Sequence, residues 1–318
     1  MKLEHLAWLW LTLICGLGLL EWLWKEPTLM ALVCAFPHQP LAILALVVLV
    51  VTWRSGTRAR ATTVLSLLLI VLLMGFNLPL GGPAGEGTSL RILTLNMQGL
   101  PFGIGPTAQA IRREPADIVA LQEVSIWNPE MAEQLRPGPE YQLAQTGEFA
   151  LYSRYPILES ELLLDPSRPG QRSLLAVGER KLVVWNLHYS VLLMGFASFK
   201  SGFLDKLAAD DAWRTRQTRE LTERLQEETE AYVLVGDLNA PPREHSVAPL
   251  LAYARDAFAS RGWGFGFTYD AAFPVLRIDY ILASPGLGVR SCWLEREYCS
   301  DHRGVRAELV LLSDVANF

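Results

Sequence analysis

The sequence predicts an α/β domain behind an apolar, helical N-terminal region, and three observations carry that reading. The first 80 residues hold three long apolar runs with few charges. From about Leu90 the apolar runs shorten to strand length, as in Arg91–Leu95, Ile118–Leu121, Leu182–Trp185 and Tyr232–Val235. Lys206–Glu230, by contrast, reads as a long charged helix with i,i+4 pairs.

Taken in order, the N-terminal runs have membrane length. Leu6–Trp24 is 19 residues with one late charge, Glu21; Pro37–Trp53 is 17 residues; Ala61–Leu80 is 20 residues with no charge. They predict three transmembrane helices over 6–24, 37–53 and 61–80, within an anchor of residues 1–80. A cleaved signal peptide competes for the first run, but no small-x-small cleavage site follows it and two more apolar runs do. Buried core helices compete for the others, yet 20 uncharged residues leave no polar face. Arg54, Arg58 and Arg60 cluster between the second and third runs, which puts that loop in the cytoplasm and the C-terminal domain outside. The expectation is a multi-pass protein of the plasma membrane with an extracytoplasmic domain. Gly81–Gly87 opens a flexible linker, 81–89, to a domain at 90–318.

Each short run of that domain ends in a polar island. The islands are Leu95–Gly99, Leu121-Gln122-Glu123, Asn186-Leu187-His188, Gly236-Asp237-Leu238-Asn239, Arg277–Tyr280 and Ser300-Asp301-His302. A buried strand needs only hydrophobes, so a carboxylate, amide or imidazole just past each one asks for a chemical reason. One such island is an ordinary strand-ending turn, because Asn and Asp cap turns readily; six in a row are not. Oxygen-rich sites of this kind suit hydrolysis of a phosphoester, where a hard cation stabilises charge building on phosphorus.

These islands and their order resemble the endonuclease/exonuclease/phosphatase superfamily from about Leu90 to about Leu312, most specifically in Gly236–Asn239 and Ser300–His302. The resemblance implies two packed β-sheets flanked by helices, with the site where the loops of the two sheets meet. It also implies roles and a cofactor, Mg²⁺ or Mn²⁺. Glu123 is the expected main metal ligand, Asn96 a ligand or its orienter, and Asp301 a second ligand. His302, held by Asp279, is the expected general base. Asp237 and Asn239 lie two apart on what reads as extended chain, so they should share a pocket. Asn239, His188 and Arg172 are expected on the phosphate oxygens. His5, His38 and His245 lack motif context and read as structural.

Charge and local composition narrow the substrate. Residues 81–318 carry 23 Lys+Arg against 30 Asp+Glu, a net charge of −7, which disfavours nucleic acid as a partner. Arg214, Arg216, Arg219 and Arg224 alternate with acids and read as a solvated face. Val191–Phe199 is apolar where a loop should be polar; it is either core or a segment that meets lipid. Gly262–Gly266 reads as a rigid aromatic wall beside the site. Cys292 and Cys299 could close a disulfide or remain separate buried thiols.

The expected function is therefore a membrane-anchored Mg²⁺-dependent phosphoesterase acting on a lipid phosphate, pyrophosphate or phosphodiester, most similar to the membrane-anchored bacterial branch that includes teicoplanin-resistance proteins. Three alternatives stand beside it. One is a surface nuclease. Another is an inositol-phosphate phosphatase, weakened because that group's Trp-Cys-Asp-Arg element reads Leu276-Arg277-Ile278-Asp279 here. The third is a non-catalytic membrane receptor or scaffold.

Overall fold

Alternation of side chains along short strands explains most of the C-terminal architecture. The computed structural model describes residues 3–23, 39–53, 56–98, 104–124, 129–163, 170–191 and 203–313. It divides into two units, Met1–Asn77 and Leu78–Phe318.

The second unit contains two six-stranded sheets. One comprises β1 (Gly87–Asn96), β2 (Ile118–Gln122), β3 (Gln142–Thr146), β4 (Phe149–Ser153), β11 (Leu287–Glu295) and β12 (Gly304–Leu312), in the order β11-β12-β1-β2-β4-β3. The other comprises β5 (Ile157–Leu163), β6 (Gly170–Val177), β7 (Arg180–His188), β8 (Ala231–Asp237), β9 (Arg255–Asp256) and β10 (Asp279–Ala283), in the order β5-β6-β7-β8-β10-β9. Each sheet is mixed, with one parallel pair, β1 with β2 and β7 with β8, at its middle. The core between the sheets takes every second residue: Ile92 of β1, Ile118 and Ala120 of β2, Val184 of β7, Val233 and Val235 of β8. The intervening residues, such as Leu93, Val119, Trp185 and Leu234, face outward into two further clusters. Among its described residues the α-helices of this unit are α4 (Ile104–Arg113), α5 (Pro129–Leu135), α6 (Phe203–Glu227) and α7 (Ala257–Arg261). The long helix α6 stands where the charged stretch predicts one, and its Leu221 and Leu225 pack on the outer face of the second sheet.

Among its described residues the first unit has three helices, α1 (Leu3–Leu23), α2 (Gln39–Thr52) and α3 (Thr57–Leu73). Among the described residues no helix is long and apolar enough to cross a membrane. This departs from the three expected spans. At a rise of about 1.5 Å per residue, α2 and α3 are about 21 and 26 Å long, against a hydrocarbon core of about 30 Å. The third span was expected over 61–80, but its helix starts at Thr57, inside the arginine loop, and stops at Leu73. The stop is a glycine cap: Gly75 adopts φ +77°, its N–H donates to the Leu72 carbonyl, and the Phe76 N–H donates to Val71.

Two other expectations meet the structure here. Val191–Phe199 falls almost wholly outside the described residues. Cys292 and Cys299 are free thiols, as is Cys15. Cys292 is buried on β11, and burial pushes its thiol up.

Candidate active site

The parity that builds the inter-sheet core also builds the site. On the inner face β1 reads Ile92, Thr94, Asn96; β2 reads Ile118, Ala120, Gln122; β7 reads Val184, Asn186, His188; β8 reads Val233, Val235, Asp237. Each series turns from apolar to polar at the C-terminal end of its strand, so the four ends form one polar rim. Asp279, which opens β10, pairs in register with Asp237. Gly236 is required in this arrangement, because a Cβ there would lie 2.0 Å from the Leu187 carbonyl oxygen.

A buried amide layer supports the rim. Gln122 Nε2 donates to Thr94 Oγ1 (3.0 Å) and to Asn186 Oδ1 (2.6 Å), and Asn186 Nδ2 donates to Gln171 Oε1 (3.2 Å). The layer crosses from one sheet to the other, so it fixes their mutual register. One level up, Asn96 Nδ2 donates both to Glu123 Oε1 (2.9 Å) and to Asp237 Oδ2 (3.0 Å). Its own oxygen accepts from the Gln98 N–H at 2.9 Å. Asn96 thus donates to two carboxylates while its oxygen accepts one main-chain hydrogen bond.

Three rim residues other than glycine hold left-handed backbone, Gln98 (φ +48°), Glu123 (φ +54°) and Asn239 (φ +49°). Such conformations cost about 1–3 kcal/mol each and gather where side chains must be aimed. For Glu123 the turn brings a side chain from just past β2 back over the rim, where it is 34% exposed.

Two imidazoles stand among these carboxylates. His302 Nδ1 bonds Asp279 Oδ2 at 2.9 Å, while its Nε2 lies 3.8 Å from Asp237 and 3.7 Å from Asp301. Its main-chain N–H donates to Ser300 Oγ, which in turn donates to the Asn96 carbonyl. Burial works against the imidazolium, but the surrounding Asp279, Asp237 and Asp301 raise His302 to about 10. The three carboxylates around it thus favour the imidazolium form. Burial together with the Asp279 charge lifts Asp237 to about 6, against the pull of His302 and His188. His188 Nδ1 bonds Glu148 Oε1 at 2.9 Å and its Nε2 lies 3.5 Å from Glu123. Burial opposes its charge too, but Glu148, Asp237 and Glu123 hold it above the ordinary histidine range.

Glu148 is absent from the sequence reading. It sits at the turn between β3 and β4 rather than past a buried strand, so the pattern that flags the other residues does not reach it. Its carbonyl also accepts from the Val124 N–H, which ties this turn to the Glu123 segment.

One expected phosphate contact, Arg172, points away from the rim, and another, Asn239, lies on the rim with its amide bonded to the chain. Arg172 is one residue out of phase on β6: Gln171 and Ser173 face inward, whereas Arg172 faces outward and forks onto Glu228 (2.8 and 3.0 Å). Asn239 is not on extended chain, and its Nδ2 donates to the Tyr189 carbonyl at 2.8 Å. Its main-chain N–H donates to Asp237 Oδ1.

The donor set fits a hard divalent cation. Among the described residues no lysine or arginine forms an ion pair with Glu123, Asp237, Asp279 or Asp301. Oδ1 of Asp279 and Oδ1 of Asp301 are buried without a hydrogen bond. Asp237, Asp279 and His302 offer ligand atoms within 4.8 Å of one another. Oxygen donors in excess of cations are what Mg²⁺ or Mn²⁺ accepts.

Sheets of this topology with acidic and imidazole groups gathered on one rim define a phosphoesterase-type domain. Residues 93–302, about two thirds of the sequence, match the Endonuclease/Exonuclease/phosphatase family, and the chain belongs to it. Solved structures agree in fold. A humanized TDP2 from D. rerio is 21% identical with a TM-score of 0.53, covering 70% of this chain and 98% of that one. A truncated TDP2 from Caenorhabditis elegans is 18% identical with a TM-score of 0.55, covering 70% and 98%. An endonuclease/exonuclease/phosphatase from Bacteroides vulgatus is 19% identical with a TM-score of 0.55, covering 70% and 99%. No curated protein matches the chain.

Proposed function

We propose that this protein is a membrane-anchored, Mg²⁺-dependent phosphoesterase that hydrolyses a lipid phosphate, pyrophosphate or phosphodiester at the outer face of the plasma membrane. The observation that carries the lipid assignment is the surface of the first unit. Its exposed side chains include Leu9, Ile43, Val50, Leu68 and Leu72, whereas a helical unit in water keeps a polar face outward. Its hydroxyls are satisfied internally, Thr52 on Val48, Thr63 on Ala59 and Ser66 on Thr62, as a lipid environment demands. The placement of Arg58 and Arg60 at the start of α3 supports a cytoplasmic end there. This reading keeps the chain near the membrane-anchored bacterial branch of the family.

At the rim, Glu123 and Asp301 would hold the cation, and Asn96 would orient Glu123. When bound, the cation neutralises charge developing on the phosphoryl oxygens. Asp237 takes a proton from the attacking water as its oxygen bonds to phosphorus. The phosphorus–oxygen ester bond breaks, and the His302 imidazolium, steadied by Asp279, protonates the leaving oxygen. His188, steadied by Glu148, donates to a phosphoryl oxygen.

The test is a substrate panel given to the detergent-solubilised full chain with Mg²⁺: lipid monophosphate, lipid pyrophosphate, phospholipid diester, inositol phosphate and DNA. Turnover of a lipid substrate and none of DNA is expected; turnover of DNA alone would make the protein a nuclease. A reporter active only outside the cytoplasm should work when fused after Phe318 and fail at Gly56. The reverse pattern removes the extracytoplasmic assignment.

A further inference from the structure

Three arginines are buried among the described residues, Arg214, Arg303 and Arg306, at 1%, 6% and 3% exposure. Arginine leaves water so completely when an anion meets it. Arg214 lies on Glu244 at 3.0 Å and Arg306 on Glu295 at 2.6 Å. Arg277, whose side chain is 10% exposed, lies on Asp256 in the same way. Arg303 differs from all of them. Among the described residues no carboxylate pairs with it, and its Nε and Nη2 both donate to one neutral acceptor, the Ala271 carbonyl, at 3.3 and 3.0 Å.

This uncompensated charge lies beside the rim. Arg303 follows His302 in the chain, and its main-chain N–H donates to the Thr268 carbonyl. Tyr269 and Leu276 exchange backbone hydrogen bonds and close a turn there. Ala271 of that turn stands between the two places: its N–H donates to the Asp301 carbonyl, and its own oxygen takes the guanidinium. A second cation, Arg296, is exposed just past β11. Burial, and then the Arg296 charge, hold Arg303 below the ordinary arginine range; Asp270 is near enough to oppose them but does not pair. The Asp270 Oδ1 instead accepts from the Ala272 N–H. Strapping a turn to one carbonyl needs only an amide donor, so the strap does not account for a guanidinium. Nη1 has no partner among the described residues and is not sealed from solvent.

We propose that Arg303 and Arg296 form an anion subsite beside the rim, and that its occupant is a phosphate group. The choice of phosphate rests on the phosphoesterase reading above. A phosphate there would supply the negative charge that Glu244, Asp256 and Glu295 supply to the other arginines, and the free Nη1 would donate to its oxygens. The occupant is a second phosphate of the substrate or inorganic phosphate, which present the same oxygens to the guanidinium.

Inorganic phosphate titrated calorimetrically into the detergent-solubilised full chain in EDTA tests the subsite without metal or turnover. The parent should bind it. Arg303→Gln, which keeps an amide donor for Ala271, should weaken binding by about tenfold or more, the scale of one charge-assisted hydrogen bond, and Arg303→Lys should restore part of the loss. His188→Gln should bind as the parent does. A parent that binds no phosphate, parent-like binding in Arg303→Gln, or a loss confined to His188→Gln overturns the subsite. If circular dichroism shows Arg303→Gln unfolded, the exposed Arg296→Ser decides: binding weakened by about threefold supports the subsite, and unchanged binding overturns it. Kinetics on a lipid monophosphate and the pyrophosphate of the same lipid separate the two sources. Arg296→Ser should raise KM for the pyrophosphate alone if the occupant is a second substrate phosphate, or weaken inhibition by inorganic phosphate on both substrates if it is the free ion. If neither parameter moves, the proposal falls. Phosphate binding that depends on Arg303 in a chain that hydrolyses no phosphoester keeps the subsite and overturns the function proposed above; hydrolysis without such binding does the reverse.

Discussion

His302 and His245 are both surrounded by carboxylates, and of these two only His302 sits in a reactive place. His302 lies among Asp279, Asp237 and Asp301 on the rim. His245 lies between Asp211 of α6, at 2.7 Å, and Glu244, at 2.6 Å. Asp237, Asp279 and His302 offer ligand atoms within 4.8 Å of one another, and so do Asp211, Glu244 and His245. The difference is the bookkeeping of charge around them. Buried Arg214 pairs with Glu244 at 3.0 Å and donates to Ser246 at 2.8 Å, so the His245 group holds two anions and two cations. Glu244 accordingly sits below the ordinary carboxylate range despite burial, held there by His245 and Arg214. Among the described residues the rim has no such arginine, and Asp237 is pushed up instead. A balanced cluster braces α6 against the segment after β8; an unbalanced one is left in want of a cation and a proton. The same residue types therefore make a brace or a reaction centre according to what compensates them.

The largest effect that can break this contrast is loss of the proposed main ligand. Glu123→Gln should lower turnover by about 10²- to 10⁴-fold and abolish Mn²⁺ binding measured calorimetrically, with circular dichroism unchanged. Chelation of the metal should match it. Retained activity in Glu123→Gln at saturating Mg²⁺ would mean that the imbalance at the rim serves something other than a cation.

Next in size is the proton. If Asp237 accepts it, kcat/KM should rise with pH through about 6, where the buried carboxyl ionises, and fall only in the alkaline range as His302, near 10, loses its proton. The sign discriminates: a His302 base would place the rising limb in the alkaline range. Asp237→Asn should remove the limb near 6 along with most of the rate. A rising limb that survives in this variant would return the base to another residue.

The brace should answer in stability rather than rate. Arg214→Met leaves Glu244 buried without its guanidinium, and breaking a buried pair from one side costs about 3–5 kcal/mol. Urea unfolding should show that loss, while turnover per folded molecule stays within a few-fold of the parent. Arg214→Met combined with Glu244→Gln should recover part of it. A variant of full stability with a collapsed rate would move Arg214 from the brace to the reaction.

What the sequence makes legible follows from the same physics. Asn96, Glu123, His188 and Asp237 could be picked out because each ends or follows apolar strand residues that give it no packing reason to be polar, whereas Asp279 and His302 stand at the start of β10 and just before β12 and came through the family resemblance. The two-sheet architecture came only through the family resemblance, since strand runs do not say which strands pair. Glu148 is hidden because a charged residue at a hairpin turn is ordinary. Arg172 misleads by one step of alternation: β6 is buried on both faces, so hydropathy does not reveal which parity faces the rim. Arg214 misleads because charges alternate along α6, although Arg214, Gln217, Thr218 and Leu221 repeat at the three- and four-residue spacing of one buried helix face. The third apolar run is cut short by Gly75, whose capping geometry overrides the hydropathy that extends to Leu80.

The smallest expected effect concerns the thiols. Cys299 lies two residues before Asp301, its main-chain N–H donates to Thr107 Oγ1, and its thiol is unbridged. Cys292 faces the inter-sheet core, with its thiol pushed up by burial. The loop bearing His302 is therefore held by Ser300, Asn96 and the backbone rather than by a covalent link, and reductant should leave both activity and thermal midpoint unchanged. Labelling of the folded protein should modify Cys299 ahead of Cys292, because thiolate is the reactive form and burial suppresses it at position 292. A reductant-dependent loss of activity would show that oxidation pins the loop after all, and would shift part of the ordering of the rim from hydrogen bonds to a disulfide.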